Sequence, residues 1–251
     1  MRFTSRTSLD GVTESHFTVD DVPGVLWTPT AAGPRPLILI GHGGGQHKTA
    51  PGVVTRARRF VTGGGFAVAA IDAPHHGDRP KGAEFGRIAG ELRAGMAAGG
   101  DPAALVAAMH EHLAGQAVAD WRAVLTAVQL LDRVGTGPVG YWGMSMGCGL
   151  GVPLVAAEPR VRAAVLGLLG ATGLASAAAR ITVPVRFLVQ WDDERVPREQ
   201  GLALFDALGS AEKSLHANPG GHGDLPSIET DSSLRFFARH LSQDGVVVPG
   251  S

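Results

Sequence analysis

Several features are scarce in this sequence, and each scarcity excludes a class of protein. A single cysteine among 251 residues cannot form an internal disulfide, and zinc sites built from cysteine pairs are excluded too. Neither sign of charge prevails, because 22 lysines and arginines face 23 aspartates and glutamates, so we expect no nucleic-acid partner. A hydrophobic share of 44% with a net charge of -1 excludes disorder and indicates a folded core.

Long apolar runs are also missing. Residues 1–17 contain no apolar segment of the signal-peptide type, and the longest weakly polar stretch, 163–179, is interrupted by glycines. We therefore expect neither a secretory signal nor a membrane partner. With the low cysteine count, these absences favour a cytoplasmic protein, and they leave the oligomeric state open.

Short apolar segments alternate with longer helical patterns. Segments of this kind, most of them bounded by glycine or proline, are typical of buried parallel strands. They are Leu37–Ile40, Phe66–Ile71, Val139–Trp142, Val161–Leu166, Val185–Gln190 and Leu215–Asn218. Helices are predicted over 50–62, 115–134, 146–157, 198–209 and 228–241, and an antiparallel hairpin over 16–27 with its turn at 21–24. The alternation predicts one α/β domain over 1–251, with a mostly parallel, doubly wound sheet covered by helices on both faces.

One segment departs from this alternation, since about forty residues separate the second predicted parallel strand from the long helix, and such loops are usually functional. Asp101 and Pro102 are typical of a helix N-cap and the first helical position, and apolar residues recur every fourth position over 105–113. The segment 79–113 predicts either a small helical lid or a helix packed on the edge of the domain.

The sequence GMSMG, Gly143–Gly147, follows an apolar strand and precedes a helical pattern, as the G-x-S-x-G nucleophile motif requires. A serine on such a sharp turn has a strained backbone, and the flanking glycines let the strand and the helix approach each other. The turn exposes the Ser145 hydroxyl and lets the backbone N–H of Met146 face a developing oxyanion. The alternative is a glycine-rich turn that contains a serine by chance.

A second oxyanion donor has to come from another loop. A glycine run after the first parallel strand lets a backbone N–H face the substrate without an intervening Cβ, and Gly44 is the first candidate and Gly43 the second. The same run is not a nucleotide-binding loop, because His42 and His47 fill the two glycine positions of G-x-x-x-x-G-K-[ST]. We therefore expect no cofactor.

Serine needs a general base, and an imidazole suits that task at neutral pH. Of the ten histidines, His222 lies between glycines after the last predicted strand, where the order Ser, acid, His places the base. His216 and His240 fall inside a strand and a helix, where packing or solvent exposure is the usual role. The acid should follow the preceding strand, where Asp192 and Asp193 are adjacent.

Other residues near these loops have structural alternatives. Trp142 and Trp191 flank the nucleophile and the acid, and each is either a core aromatic or a substrate contact. His76 is predicted to fix the loop beside the pocket and is a further substrate-binding candidate. Cys148 is predicted to be a small buried residue. No metal site is expected, since the two histidines of an H-x-H pair on a helix, such as that at 110–112, diverge and no third ligand is suitably spaced.

In chain order, HGGG, GMSMG, WDDERVP and GGHG resemble the motifs of the α/β-hydrolase superfamily over most of the chain. The phrase IDAPHHGDR, 71–79, is similar to a stretch of small bacterial carboxylesterases in the dienelactone hydrolase-like and prolyl oligopeptidase-like branch. That branch usually reads G-x-x-D-x-x-V-P at the acid, which implies Asp193, although Gln190 stands where glycine is usual. Dienelactone hydrolases proper have a cysteine where this chain has Ser145, so the resemblance does not extend to their activity.

The resemblance implies an α/β-hydrolase fold and a serine esterase that acts on a small-molecule ester. In this mechanism Ser145 attacks the ester carbonyl, His222 takes its proton and Asp193 orients the imidazole. The short chain between Ser145 and Asp193 leaves little room for a large cap, which predicts a compact pocket for small to medium acyl groups. Thioester, lactone, amide or carbon–carbon bond hydrolysis on the same triad stays open, as does acyl transfer or a non-catalytic scaffold that binds a ligand or partner.

Overall fold

Strands and helices alternate through the computed structural model, which describes residues 1–99 and 103–241. The strands are β1 (Arg2–Leu9), β2 (Val12–Val19), β3 (Val22–Pro29), β4 (Leu37–Gly41), β5 (Ala67–Ile71), β6 (Val139–Met144), β7 (Val161–Gly167), β8 (Val185–Gln190) and β9 (Lys213–Asn218). The helices are α1 (Pro51–Gly64), α2 (Ala83–Ala97), α3 (Ala103–Gln129), α4 (Met146–Ala157), α5 (Ala175–Ala178), α6 (Arg198–Ala207) and α7 (Ile228–Leu241). The predicted N-cap at Asp101 and Pro102 lies outside the described residues.

The described strands form one nine-stranded sheet in the order β1-β2-β3-β5-β4-β6-β7-β8-β9. The first three strands are antiparallel, and β3 pairs antiparallel with β5. From β5 to β9 every pairing is parallel, so the loops that follow β4, β5, β6, β8 and β9 meet at one edge of the sheet. The predicted mostly parallel α/β sheet is confirmed.

Helices cover both faces of this sheet. On one face, α1 and α7 pack a core that includes Trp27, Phe60 and Phe237. On the other face, α3 and α4 bury side chains that include Trp121 and Tyr141. Both cores are made of fully buried aromatic and aliphatic side chains, so the central strands have no solvent-facing side and read as continuous apolar runs in the sequence.

The N-terminal hairpins differ from the sequence prediction. The turn between β2 and β3 consists of Asp20 and Asp21, not 21–24, and Pro23 lies inside β3 opposite Thr18. Asp20 has a left-handed φ of 50°, which closes a two-residue turn whose twist matches the strands. The strand β1 was not predicted, because its residues are exposed and carry no apolar pattern.

The helix predicted over 115–134 is wrong at both ends, because α3 runs without a break from Ala103 to Gln129. Its apolar face extends from Met109 through Leu113 and Trp121, so the predicted lid helix and the core helix are one element. The helix α2 packs on the first part of α3 in a small cluster that also contains Met146. Despite the length of α3, no helix among the described residues is long and apolar enough to cross a membrane.

Candidate active site

Ser145 stands on a strained turn between β6 and α4, with φ 55° and ψ −122°. The two glycines of the motif make this turn possible. A Cβ on Gly147 would lie 2.5 Å from the carbonyl oxygen of Gly41, and one on Gly143 would collide with the carbonyl group of Gly147. The hydroxyl of Tyr141 also donates to the Gly147 carbonyl at 2.6 Å and fixes the turn from below.

Three loops bring Ser145, His222 and Asp193 together. The Nε2 atom of His222 lies 3.0 Å from the Ser145 hydroxyl, and its Nδ1 lies 2.8 Å from Oδ2 of Asp193. With Nδ1–H donating to the carboxylate, Nε2 carries the lone pair that accepts the serine proton. This arrangement can deprotonate the serine hydroxyl and return the proton to a leaving group.

The carboxyl group of Asp193 is held in its ionised form. Its Oδ1 accepts hydrogen bonds from the backbone N–H groups of Arg195 at 2.8 Å and Val196 at 2.9 Å. Burial alone would raise the pKa of Asp193, but these bonds and the one from His222 outweigh burial and hold the pKa below its ordinary value.

Three neighbouring polar side chains hold the His222 loop in place, and sequence reasoning gave them no role there. Asp192 accepts from the backbone N–H of Gly220 at 3.3 Å, and Glu194 accepts from that of His222 at 2.9 Å. Gln190, which replaces the usual glycine, donates at 3.2 Å to two carbonyl groups of the same loop. The adjacent aspartates therefore have different roles, because the Asp193 carboxylate contacts the His222 imidazole while the Asp192 carboxylate accepts from the backbone of the His222 loop.

The glycine run after β4 places Gly44 beside Ser145, where both line the same two cavities. The N–H of Gly43 donates to Oε1 of Gln46 at 3.3 Å, so that donor is occupied. Within the described ranges, no acceptor is present for the N–H groups of Gly44 and Met146. The geometry therefore favours Gly44 over Gly43 as the partner of Met146 for an oxyanion.

His42 fixes this glycine run from behind, a role the sequence analysis missed. Its Nδ1–H donates to the Gly43 carbonyl at 2.9 Å, and its Nε2 accepts from the backbone N–H of Ala73 at 3.0 Å. Burial lowers the pKa of His42 to about 4, so the ring is neutral and both bonds persist at neutral pH. The only sequence signal for this role was the position of His42 directly before the glycine run in HGGG.

A buried ion pair links the same two loops further from the serine. The Lys48 ammonium lies 2.7 Å from Asp72 and 2.6 Å from Asp78. Asp72 also accepts from the backbone N–H groups of Lys48 and Asp78, both at 2.9 Å. The oxyanion loop is thus tied to the loop after β5 by charge as well as by His42.

Two cavities open beside Ser145 and His222. The first, about 170 Å³, lies under α3 and has mostly apolar walls, among them Val106, Met109 and Leu169. The second, about 390 Å³, lies on the α1 side and includes Arg56 and Trp142 in its wall. A substrate carbonyl at Ser145 can therefore extend its two substituents into two chemically different spaces.

Of the remaining residues predicted to bind substrate, only one lies in the wall of these cavities. Trp142 lines the second cavity, whereas His76 and Trp191 line neither, so their predicted role in substrate binding stays a prediction. His76 is buried and donates from Nδ1 to the Pro74 carbonyl at 2.8 Å, which fixes its loop. Cys148 is fully buried, and burial raises its pKa to about 12. In the part of the chain that is described, no group of three or more His, Cys, Asp or Glu residues is arranged to hold a metal ion.

No protein-family model and no curated protein matches the sequence. Solved structures do match. A PEG-bound cold-adapted esterase from an Arctic intertidal metagenomic library is 34% identical, with a TM-score of 0.77 over 96% of this chain and 100% of that one. A zinc-bound structure of such an esterase is 32% identical, with a TM-score of 0.73 over the same shares. Acetyl xylan esterase 1 from Thermoanaerobacterium sp. JW/SL YS485, at 18% identity, a TM-score of 0.69 and shares of 96% and 88%, shares the fold.

Proposed function

Because the chain belongs to the carboxylic ester hydrolases of the α/β-hydrolase fold, we propose that it cleaves esters of small to medium acyl groups through Ser145, His222 and Asp193. The observation that carries the proposal is the continuous hydrogen-bonded chain from Asp193 to the Ser145 hydroxyl, with distances of 2.8 Å and 3.0 Å, beside two cavities. No cofactor enters the mechanism.

In the first half-reaction the Ser145 oxygen attacks the ester carbonyl carbon while its proton passes to Nε2 of His222. The negative charge of Asp193 stabilises the imidazolium that forms. The carbonyl oxygen becomes an oxyanion and accepts hydrogen bonds from the N–H groups of Met146 and Gly44, which have no other acceptor in the described chain. These donors are in place before the charge develops, so they lower the barrier without reorganisation.

The tetrahedral intermediate then collapses. The bond to the alcohol oxygen breaks, and His222 gives its proton to the leaving alcohol. An acyl group remains on Ser145. A water molecule repeats the sequence, giving its proton to His222, and the acid leaves as the serine hydroxyl is restored.

The first cavity supports the proposed acyl size. Its volume of about 170 Å³ is close to that of the ~150 Å³ protein cavity known to hold benzene. Leu92 on α2 and Val106 and Met109 on α3 form part of its wall, which supports the lid alternative for the segment 79–113. Acyl groups much larger than a group of this volume would have to displace these side chains.

A fluorophosphonate probe tests the nucleophile, and the matched variants are Ser145→Ala and Cys148→Ala. We expect the wild type and Cys148→Ala to be labelled and Ser145→Ala to stay unlabelled. Turnover of a short p-nitrophenyl ester should fall about 10⁶-fold in Ser145→Ala. Labelling of Ser145→Ala, or retention of a tenth of its turnover, would refute the mechanism.

A panel of p-nitrophenyl esters from acetate to palmitate, with matched amides and thioesters, tests the substrate class. We expect kcat/KM to be highest for short and medium acyl esters and to fall for palmitate. A higher kcat/KM for the amides or thioesters than for the esters would replace the proposed reaction with another acyl transfer to water on the same residues.

A further inference from the structure

The second cavity contains an arginine that no carboxylate of the described residues neutralises. The guanidinium of Arg56, on α1, stacks over the ring of Trp142 at 3.6 Å. Its Nη1 donates to the Gly52 carbonyl at 3.1 Å, while its buried Nε has no hydrogen-bond partner in the part of the chain that is described. Among residues 1–99 and 103–241, no aspartate or glutamate forms an ion pair with Arg56.

Arg56 differs in this respect from its neighbours on the same helix. Arg58 pairs with Asp10 at 3.4 Å and Arg59 with Asp231 at 2.6 Å. Arg56 is partly buried, and this burial lowers its pKa to about 10, because removing a cation from water without a counter-charge is unfavourable. The guanidinium is still a cation at about pH 8, so its positive charge is not matched by any carboxylate of the described residues.

The cavity in which Arg56 lies has a cationic wall. Ser145 and His222 contribute to that wall, as do Arg56 and Arg195, and no acidic side chain of the described residues does. Arg195 is paired with Glu194 at 3.3 Å, which leaves Arg56 as the unmatched charge. The first cavity, on the other side of Ser145, is lined mainly by apolar side chains, and Arg195 borders both cavities whereas Arg56 lines only the second.

We propose that the second cavity is a subsite for a carboxylate carried by the ester substrate, with Arg56 as its binding residue. This inference rests on the proposed function, since the ester carbonyl has to lie at Ser145 while the carboxylate reaches Arg56. A planar guanidinium matches the two oxygens of a carboxylate, and stacking on Trp142 fixes its plane before binding. The carboxylate belongs either to the acyl group, as in a half-ester of a dicarboxylic acid, or to the alcohol.

Two pairs of substrates separate these sources. In the acyl pair, mono-4-nitrophenyl adipate carries the charge and methyl 4-nitrophenyl adipate is its neutral counterpart. In the alcohol pair, 4-(butyryloxy)benzoate is compared with its methyl ester. We expect the wild type to prefer the charged member of one pair by about tenfold or more in kcat/KM, with a preference that shrinks as salt is added.

Variants of Arg56 assign the preference to this side chain. Arg56→Gln should lower kcat/KM for the preferred charged ester by about tenfold to a hundredfold and change that for its neutral counterpart by less than about threefold. Arg56→Lys should keep part of the preference, because an ammonium retains the charge and loses the planar fork. Arg58→Gln is the control on the same helix and should behave as wild type.

The outcomes separate this inference from the proposed function. If the wild type hydrolyses the neutral esters and prefers neither charged ester, the subsite is wrong and the esterase mechanism stands. If no ester is hydrolysed and the fluorophosphonate does not react, the proposed function fails and the subsite falls with it. If Arg56→Gln keeps the melting temperature of the wild type and loses both members of a pair equally, Arg56 positions the loop and does not bind a carboxylate.

Discussion

Asp72 and Asp193 are two buried carboxylates with nearly the same surroundings and different partners. Asp72 follows β5 and accepts from two backbone N–H groups, both at 2.9 Å, and from the Lys48 ammonium at 2.7 Å. Asp193 follows β8 and accepts from two backbone N–H groups at 2.8 and 2.9 Å and from His222 at 2.8 Å. Burial would raise the pKa of both carboxyl groups, and in both the hydrogen bonds lower it.

The partner decides what each carboxylate can do. Lys48 is a permanent cation, so the charge of Asp72 is balanced at all times and the pair can only hold two loops together. His222 becomes a cation when it takes the serine proton, so the charge of Asp193 gains its partner during the reaction. A carboxylate with fixed hydrogen bonds is thus structural beside a lysine and a source of transition-state stabilisation beside an imidazole.

The largest expected effect comes from removing the charge of Asp193. In Asp193→Asn the amide donates to Nδ1 of His222 and leaves the proton on Nε2, where the serine proton should go. We expect kcat for a short p-nitrophenyl ester to fall on the order of 10⁴-fold, with a melting temperature close to that of the wild type. A loss below about tenfold would mean that Asp193, like Asp72, has only a structural role.

The next effect is on stability and concerns the other carboxylate. Lys48→Met leaves Asp72 buried without its cation, which should cost about 3–5 kcal/mol in the free energy of unfolding, measured in urea. The double variant Lys48→Met, Asp72→Asn should recover part of this loss, because no uncompensated charge remains. A single variant as stable as the wild type would show that the ion pair does not tie the loops together.

A smaller effect is expected in the pH dependence of kcat/KM, which reports on Asp193, and of stability, which reports on Asp72. Because the pKa of Asp193 lies below its ordinary value, Asp193 stays ionised while the imidazole takes up a proton. The logarithm of kcat/KM should therefore fall on acidification with a slope of one, about tenfold per pH unit, and a slope of two would mean that Asp193 titrates as well. The pKa of Asp72 is also lowered, so its contribution to stability is present above about pH 4 and lost as the pH falls below that value.

The smallest effect is expected next to Asp193. Asp192→Asn keeps an oxygen that can accept from the Gly220 N–H and leaves the imidazole contact untouched. Turnover should fall by less than about tenfold, because a hydrogen bond to a neutral acceptor is weaker than one to a carboxylate by only about 1 kcal/mol. A larger loss at 192 than at 193 would reverse the assignment of the two aspartates.

The sequence predicted those features whose signal is local. Five consecutive residues of the sequence are enough to predict the strained serine turn. The central strands are recognisable as short apolar runs, because both faces of the sheet are covered. Counting back from Val196 and Pro197 selected Asp193, and in the structure that side chain reaches His222 although Gln190 replaces the usual glycine.

The rest depends on contacts between residues far apart in the chain. Lys48 and Asp72 are 24 residues apart, and neither a charge run nor a periodicity connects them. Arg56 and Trp142 meet because α1 covers the face of the sheet on which the Trp142 side chain lies. The sequence therefore predicted Trp142 near the pocket but not its contact with Arg56. The exposed β1 and the unbroken α3 were missed for a different reason, since exposure removes the apolar pattern and an alanine-rich helix gives no signal where a lid ends and a core begins.

The crowding around the serine turn sets limits on how this enzyme can diversify. Side chains added at Gly41, Gly143 or Gly147 would collide with different neighbours, one of them the rigid ring of Tyr141, so no single compensating change relieves all three. Substitutions at these three glycines are therefore disfavoured. The walls of the two cavities, by contrast, are formed in part by side chains on α1, α2 and α3, which can change one at a time. New substrate ranges are therefore accessible to evolution, in nature or in a library, through the helices around the serine and not through the turn that carries it.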